Sequence, residues 1–417
     1  MTQAPTHIGA AAPAEAHSSL FRQPPAVWAV AFASMVTFMG IGLVGPILPT
    51  ISKAMNATPT QTSFLFTSYL VVTAVVMFFT SWLSSRIGTR NTMLIGLAVI
   101  AAAAVGCALA VNIDGIIAFR ALWGLGNAMF LSTALASIIA ASGGTAGQAI
   151  ILYEAALGLG LAVGPLVGGL LGEISWIVPF WGTATLVAIG FVAIIALVRG
   201  AGKSQEKSHV SAPFKALGIR SILVLSIVAF FYNSSFFVTL AYVPYPLGMS
   251  AVGIGLVMTG FGIGLALTSI VIAPRLTHRF SATRVLAATL VVFAATHFAA
   301  SQLTGNAPWL VVCVVLLGFE IGAANTVLTE AVMEVSDLPR AVASSAYSGV
   351  RFFGGAIGAP VGTGLAVFGA GIPFIFAAVT ALVGALLLAV FRRTLTRADH
   401  PVHETPEFEA EAITRGE

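Results

Sequence analysis

The chain has 417 residues, of which 58% are hydrophobic and only 8% are charged, and its formal net charge is +4. A water-soluble domain carries about 25% charged residues, and a single hydrophobic core stops growing at about 250–300 residues. The composition therefore excludes an ordinary soluble globular protein, because so much apolar surface has to face lipid.

Apolar runs of about 20 residues, the length that crosses a bilayer as a helix, recur along the chain. These runs are too long for membrane strands and lack the two-residue alternation of strands. An all-α membrane fold of twelve transmembrane helices is therefore predicted. We call the helices spans 1–12 and expect them at residues 27–49, 61–83, 91–111, 115–140, 146–172, 177–198, 219–245, 252–274, 284–303, 307–334, 343–369 and 371–391.

Polar segments divide the chain into five parts. We expect an N-terminal tail (1–26), an N-terminal six-helix bundle (27–198), a central loop (199–218), a C-terminal six-helix bundle (219–391) and an acidic C-terminal tail (392–417). From residue 399 onward the tail is expected to be disordered, because acidic residues dominate it. The polar start has no apolar core before a cleavage site, so no signal peptide is expected.

The distribution of Lys and Arg predicts the orientation in the membrane. Lys53 lies alone on one side, Arg120 and Arg351 fall inside spans, and all the others lie on the side of the tails. Positive residues mark the cytoplasmic face. We therefore expect a multi-pass protein of the cytoplasmic (inner) membrane with both termini in the cytoplasm. The orientation in the membrane explains the excess of basic over acidic residues. The expected partner is therefore the lipid bilayer and not nucleic acid.

An internal repeat relates the two sets of six spans. The stretch Gly-Leu-Gly-Asn at 124–127 in span 4 recurs as Gly-Ala-Ala-Asn at 322–325 in span 10, 198 residues later. Arg86 after span 2 and Arg279 after span 8 are 193 residues apart. Parallel repeats of six helices, with a site between them near the midplane, are typical of secondary transporters that work by alternating access.

Span 5 contains the pattern Gly-x-x-x-Gly-Pro-x-x-Gly-Gly, at Gly160, Gly164, Pro165, Gly168 and Gly169. Glycines four residues apart form a smooth stripe against which another helix can pack closely. The proline removes a backbone hydrogen bond and marks a kink or flexing point.

This pattern resembles the antiporter signature of the twelve-helix drug:proton antiporters in the major facilitator superfamily. The resemblance extends over nearly the whole chain, from Gly45 to Pro360. In span 4, Arg120, Gly124 and Gly126 are similar to the superfamily's Arg-x-x-x-Gly-x-Gly motif, whose arginine is linked to proton coupling. The resemblance implies a major facilitator fold, in which two six-helix bundles are related by pseudo-two-fold symmetry, and an expected monomer.

The loop between spans 2 and 3 resembles the superfamily's gating motif, usually Gly-x-x-x-Asp-Arg-x-Gly-Arg-Arg. Arg86, Gly88 and Arg90 match it. Serines at 81 and 85 and a threonine at 89 replace the usual glycine, aspartate and arginine. We expect the serine at 85 to accept a helix-capping hydrogen bond without supplying the charge, so that the cytoplasmic gate is weaker or differently built.

Five charged residues fall inside spans, where each costs several kcal/mol and needs a reason. They are Arg120, Glu154, Glu320, Glu330 and Arg351. Glu330 is close enough to a span end to reach the headgroups. The other four either form two structural ion pairs between neighbouring helices, or include a carboxylate that binds a proton or a cationic substrate. Under the second interpretation Glu154 is the first choice for the proton carrier and Glu320 the second, with Arg120 and Arg351 as their partners.

Aromatic and amide side chains near these charges are the candidate substrate-binding residues. Such side chains suit variable, amphipathic and often cationic molecules. The alternative is that each simply packs or faces lipid. His297 in span 9 is expected to be a packing or hydrogen-bonding residue. The candidates are Asn127, Tyr153, Tyr232, Asn233, Asn325 and Tyr347.

No phosphate-binding loop, catalytic triad or metal-ligand spacing is present in the sequence. Cys107 and Cys313 lie in apolar spans and are expected to be small core residues. We therefore expect neither an enzyme nor a cofactor or metal.

The leading functional hypothesis is export of small hydrophobic or cationic compounds, either drugs or a metabolite such as a siderophore, by proton antiport. A second hypothesis is proton-coupled uptake of a small metabolite by symport. A third is a membrane receptor that does not transport.

Overall fold

The structure, a computed structural model, describes residues 23–142, 146–198, 209–336, 338 and 340–399. Within these residues there is no strand, and twelve helices are long and apolar enough to cross a membrane. The predicted all-α fold with twelve spans is confirmed.

The first six spans follow the predicted order. Their helices are Pro25–Gly42 continued by Val44–Ala54 (span 1), Pro59–Ile87 (span 2), Thr89–Leu109 (span 3), Ile113–Ala141 (span 4), Ala146–Ile174 (span 5) and Val178–Leu197 (span 6). Side-chain caps begin two of them. Thr58 and Gln61 form a reciprocal capping box at span 2, and Asn112 accepts a hydrogen bond from the backbone N–H of Gly115 at span 4.

The last six spans begin after a short helix in the central loop, Ala212–Ala216. Their helices are Arg220–Tyr242 continued by Pro244–Leu247 (span 7), Ala251–Leu267 with a π-helical segment Thr268–Ile272 and Ala273–Arg279 (span 8), Ala282–Gln302 (span 9), Ala307–Glu334 (span 10), Arg340–Leu365 (span 11) and Ile372–Phe391 (span 12). Span 8 thus reaches Arg279 instead of ending at 274.

Spans 1 and 7 are interrupted at equivalent places. Leu43 separates the two helices of span 1, and Val243 separates those of span 7. In both cases prolines follow the break, with Pro46 in span 1 and Pro244 in span 7. A proline lacks a backbone N–H and its ring clashes with the carbonyl of the preceding turn, so it removes a hydrogen bond and favours a kink or break there.

Twelve spans place both ends of the described chain on one side of the bundle, which we call the tail side; the opposite side is the far side. The two halves contact each other along spans 5 and 8 and along spans 2 and 11. On the far side, the hydroxyls of Thr62 in span 2 and Tyr245 in span 7 are hydrogen bonded, and the rings of Phe66 and Phe237 meet edge to face.

The C-terminal tail differs from the sequence prediction. Residues 392–399 are described, and the carboxylate of Asp399 accepts hydrogen bonds from the backbone N–H and the hydroxyl of Thr283, at 2.9 and 2.7 Å. The expectation that the disordered tail starts at 399 is therefore wrong. A carboxylate is favoured at this position because the first N–H groups of span 9 lack partners within the helix. Residues 400–417 lie outside the described part.

Candidate functional site

Arg120 is buried completely in the N-terminal half. Its guanidinium donates to the backbone carbonyl of Leu65 in span 2 and to that of Gly40 in span 1, at 3.3 and 3.4 Å. The guanidinium carbon also lies 4.6 Å from the ring centre of Tyr69 and 4.8 Å from that of Trp123. Backbone dipoles and aromatic faces therefore stabilise this buried cation.

Several polar atoms around Arg120 have no hydrogen-bond partner among the described residues. These are Nη2 of Arg120, the hydroxyl of Tyr69 and Nε1 of Trp123. Both amide atoms of Asn127, one turn beyond Trp123 along span 4, also lack a hydrogen-bond partner among the described residues. A buried donor without an acceptor is costly, so this cluster is suited to receive a further polar group.

Gly124 allows spans 2 and 4 to approach at this cluster. A side chain at Gly124 would collide with the backbone carbonyl of Tyr69 and would lie 3.0 Å from Oγ1 of Thr73. Thr73 donates to the carbonyl of Gly124 across 3.1 Å. The Arg-x-x-x-Gly-x-Gly pattern thus combines a buried cation with the close helix approach that holds Tyr69 against it.

Arg351 is the centre of a second cluster, in the C-terminal half. Its Nη1 donates to Oδ1 of Asn325 in span 10 across 2.6 Å. Its own backbone carbonyl accepts a hydrogen bond of 2.8 Å from Nδ2 of Asn233 in span 7. Two predicted substrate-binding amides therefore lie at Arg351, and they join spans 7, 10 and 11.

Aromatic rings complete the cluster at Arg351. Its guanidinium carbon lies 5.5 Å from the ring centre of Tyr347 and 5.0 Å from that of Phe352. Tyr347 is only 2% exposed, and its hydroxyl has no hydrogen-bond partner among the described residues.

The other two predicted tyrosines lie elsewhere. Tyr232 is buried and packs against Phe293 of span 9, with ring centres 6.3 Å apart. Tyr153 in span 5 meets Phe38 of span 1 edge to face at 5.9 Å. The structure therefore does not gather all six candidates into one site.

Glu320 is separated from this arrangement. Oε1 of Glu320 accepts a hydrogen bond of 2.6 Å from Thr296 in span 9, while Arg351 bonds Asn325. The Glu320–Arg351 ion pair of the structural interpretation is therefore wrong, because Glu320 faces Thr296 of span 9. For Glu154, the backbone belongs to span 5, and the side chain lies outside the described residues.

The glycine stripe of span 5 packs on the backbone of span 1. Side chains at Gly160 and Gly168 would collide with the carbonyls of Met35 and Leu43, and a Cβ at Gly164 would lie 2.6 Å from the carbonyl oxygen of Met39. The contacts on span 1 are also four residues apart, at 35, 39 and 43, so the two helices match turn by turn.

The remaining signature residues face span 8 in the other half. A Cβ at Gly255 would lie 2.6 Å from the carbonyl oxygen of Pro165, and a Cβ at Gly169 would lie 2.5 Å from that of Ala251. Span 5 therefore lies between span 1 and span 8 with backbone-to-backbone contact on both sides. This places the signature at a boundary between the two halves.

Comparison with known proteins identifies the family. The model of the Major Facilitator Superfamily matches residues 30–245 and 222–415. The chain belongs to this superfamily. It is 43% identical over 380 residues to the multidrug efflux protein YfmO of Bacillus subtilis (strain 168), covering 91% of this chain and 96% of the relative. It is 28% identical over 193 residues to a tetracenomycin C resistance and export protein of Streptomyces glaucescens, covering 45% of this chain and 36% of the relative.

Solved structures of superfamily members have the same fold. A D-xylose–proton symporter superposes with a TM-score of 0.73 at 14% identity, covering 89% of this chain and 97% of the symporter. A bacterial homologue of the human lysosomal transporter Spinster superposes with a TM-score of 0.69 at 15% identity, covering 91% and 98%. The predicted major facilitator fold is therefore confirmed, and the chain is a secondary transporter of this superfamily.

The loop motif between spans 2 and 3 has serine at position 85 where the superfamily usually has aspartate. The expectation that this serine caps a helix is wrong. The hydroxyl of Ser85 donates to the carbonyl of Trp82 across 2.7 Å, and span 3 begins after Gly88 with no side-chain cap from the described residues. The reason is that Ser85 lies inside span 2, which continues to Ile87, and Gly88 makes the turn with a φ of +87°.

The two motif arginines have different surroundings. Arg90 donates to the carbonyls of Val198 and Ile195 at 2.7 and 2.9 Å, where span 6 ends. Arg86 is exposed, and its guanidinium carbon lies 5.7 Å from the ring centre of Trp82. Arg90 therefore satisfies carbonyls at a helix C-terminus within its own half.

Three residues of these sites were not singled out from the sequence. Trp123 lies three residues after Arg120 and hence on the same helix face, a signal that was available. Tyr69 and Thr296 approach their partners from other spans. Nothing in the local sequence marks either residue, because threonines and aromatics recur in many of the spans.

Proposed function

We propose that the chain exports small hydrophobic or cationic compounds, such as drugs or a metabolite of similar chemistry, by proton antiport. The single observation that carries the proposal is the 43% identity to a multidrug efflux protein over nearly the whole of both chains. The packing of the span 5 signature between spans 1 and 8 supports antiport, because the resemblance links that signature to antiporters.

In this proposal the tail side is cytoplasmic, the protein lies in the inner membrane, and it works as a monomer. Lys and Arg concentrate on the tail side, as cytoplasmic loops do. Contacts between the halves are tight on the far side, including Thr62 with Tyr245 and Gly169 with Ala251. This conformer is then closed to the outside, and export requires these contacts to open.

Proton coupling is assigned to the buried Arg120, the partly buried Arg351 and Glu154. Nη2 of the fully buried Arg120 has no hydrogen-bond partner among the described residues, and Arg351 is held by an amide oxygen. When a carboxyl group approaches either guanidinium, the positive charge favours the ionised form of the carboxyl group. When the carboxyl group moves away, its protonated form is favoured. Glu154 on the signature helix is the proposed proton carrier. Glu320 is not assigned a coupling role with Arg351, since it bonds Thr296 instead.

The proposed substrate contacts are the amides and rings near the arginines. Asn127 offers two unpartnered amide atoms, and the hydroxyl of Tyr347 has no partner within the described chain. Asn233 and Asn325 position Arg351. A few polar groups among aromatic faces suit substrates of variable shape.

The test is uptake of a fluorescent lipophilic cation into everted membrane vesicles, in which export appears as inward movement. Accumulation should depend on an imposed proton gradient and should collapse when an ionophore removes it. Glu154→Gln should abolish this dependence, whereas Glu173→Gln, at the exposed far end of the same helix, should leave it unchanged. Accumulation that persists without the gradient would contradict proton coupling, and movement only in the opposite direction would support the symport hypothesis.

A further inference from the structure

A cavity of about 510 Å³ lies between spans 8, 9 and 10, on the outside of the C-terminal half. Its wall on span 8 is a stripe of side chains four residues apart, from Thr268 through Ile272 and Leu276 to Phe280. Phe280 and Val292 of its lining are 53% and 52% exposed. The cavity therefore opens toward the lipid, away from the interface between the halves.

The inner end of this apolar cavity is polar. Glu320 lines it and uses Oε1 to accept the hydrogen bond from Thr296, but Oε2 is buried and has no partner among the described residues. Thr268 also lines the cavity and is only 3% exposed, and its hydroxyl is likewise unpartnered within the described part of the chain. Two buried acceptors without donors carry a free-energy cost that a bound donor would remove.

The backbone around Thr268 is irregular. Thr268 begins the π-helical segment that ends at Ile272, and such segments occur frequently at functional sites. Next to it, Ser269 donates to the carbonyl of Gly322 and fixes span 8 to span 10. Gly264 leaves room for the ring of Phe319, because a Cβ there would lie 2.7 Å from that ring. The wall of the cavity is thus preformed.

Charge determines how an occupant would lie. Arg284 lines the tail-side end of the cavity and is exposed in the first turn of span 9. Thr296, which holds Glu320, lies about 18 Å further along that helix at 1.5 Å per residue. A positive group is therefore disfavoured at the tail-side end near Arg284 and favoured at the inner end near Glu320, with an apolar body between them beside Leu276 and Phe319.

We propose that this cavity is a membrane-facing binding site for a lipophilic amine, in which the nitrogen donates hydrogen bonds to Glu320 and Thr268. The apolar part of the amine lies along the span 8 stripe and opens to the lipid. The site is distinct from the clusters around Arg120 and Arg351. Its chemistry matches the cargo of the proposed function, but binding here requires neither transport nor a proton gradient.

A photoreactive alkylamine tests the proposal on the purified full-length protein in lipid nanodiscs, without a pH gradient. Mass spectrometry should place its adducts on spans 8, 9 and 10 around the cavity. Excess dodecylamine should displace the label, and dodecanol should do so at least about tenfold less well, because it lacks the charge that Glu320 attracts.

Two variants and a matched control complete the test. Glu320→Gln should reduce labelling of this site about tenfold or more, and Thr268→Val should reduce it severalfold while keeping the charge. Glu330→Gln, on the same helix but outside the cavity lining, should label like the wild type. Thermal unfolding of each variant separates loss of the ligand contact from loss of the fold.

Unchanged labelling in a folded Glu320→Gln variant, or equal displacement by dodecanol, would overturn the proposal. Stronger labelling of the cavity by a photoreactive phospholipid than by the amine would also overturn it, since the occupant would then be an acyl chain. Failure of the proposed export with retained amine labelling would instead count against the proposed function alone.

Discussion

Nη1 of Arg351 lies 2.6 Å from Oδ1 of Asn325, and this hydrogen bond joins span 11 to span 10 in the C-terminal half. The asparagine is one of the residues that the repeat places in equivalent positions of the two halves. In span 4 its counterpart, Asn127, has no described partner for either amide atom. Equivalent positions therefore have different contacts in the two halves.

Asn325→Leu tests this hydrogen bond. The substitution removes an acceptor from a partly buried guanidinium, which should lower the free energy of unfolding by about 1–3 kcal/mol and reduce export. Asn325→Asp restores an acceptor oxygen and is the matched control. Thermal unfolding in detergent and vesicle transport measure the two effects. Equal behaviour of the leucine and aspartate variants would show that the acceptor is unimportant.

Arg120→Met separates the stability of the span 4 cluster from its function. The methionine has a similar length and removes a buried charge, whose desolvation cost often exceeds the gain from its contacts. The variant should therefore unfold at or above the wild-type temperature and yet lose proton-dependent transport. Lys in place of Arg retains the charge but loses the planar contact with Tyr69 and Trp123, so it should give intermediate transport. Normal coupling in a folded methionine variant would remove Arg120 from the proposed mechanism.

Gly164→Ala tests the packing of the span 5 signature. Its Cβ would lie 2.6 Å from the carbonyl oxygen of Met39, so spans 1 and 5 would have to separate, at a cost of about 1–3 kcal/mol. Gly364→Ala is the control, because a Cβ there meets nothing within 4 Å. We expect lower thermal stability and little export for the first variant and wild-type behaviour for the second. A fully stable and active Gly164→Ala protein would show that the close approach is not required.

Tyr245→Phe should loosen the far side. Loss of the hydrogen bond to Thr62 removes about 1 kcal/mol from the closed conformer, which changes the ratio of closed to open molecules roughly fivefold. Electron–electron spin distances between labels at Gln61 and Met249, in a cysteine-free background, should report a larger open population.

The control for this measurement is Tyr242→Phe. Tyr242 donates to the carbonyl of Ala370 within the C-terminal half, so the same chemical change there does not touch the other half. Identical distance distributions in both variants would show that the Thr62–Tyr245 bond does not contribute to closure.

Much of the fold was predictable because hydrophobic runs and glycine patterns in the sequence determine it directly. The length of the apolar runs gives the spans, whereas the breaks at Leu43 and Val243 were not predicted, although prolines follow both of them. The glycine pattern of span 5 predicted close packing, and the structure adds that spans 1 and 8 are the two neighbours.

The partners of the charged residues were not predictable in the same way. Span 10 is apolar around most of its circumference, so no amphipathic pattern tells which face of it meets span 9 and which meets span 11. Glu320 could therefore be assigned to Arg351 from the sequence, although it lies beside Thr296. The role of Ser85 depended on where span 2 ends, which is the least certain feature of a sequence-based assignment.

Spans 1 and 5 repeat their contacts at the same interval, with Gly160, Gly164 and Gly168 opposite Met35, Met39 and Leu43. Both helix surfaces repeat every four residues. If one helix slides along the other, their contacts match again only after a shift of about 6 Å, which is four residues along the helix axis. Smaller displacements would push side chains of span 1 against the glycine backbone of span 5. We therefore infer that these two helices move together as one rigid unit. Movement of the halves during a transport cycle would then take place at the contacts of span 5 with span 8 and of span 2 with span 11.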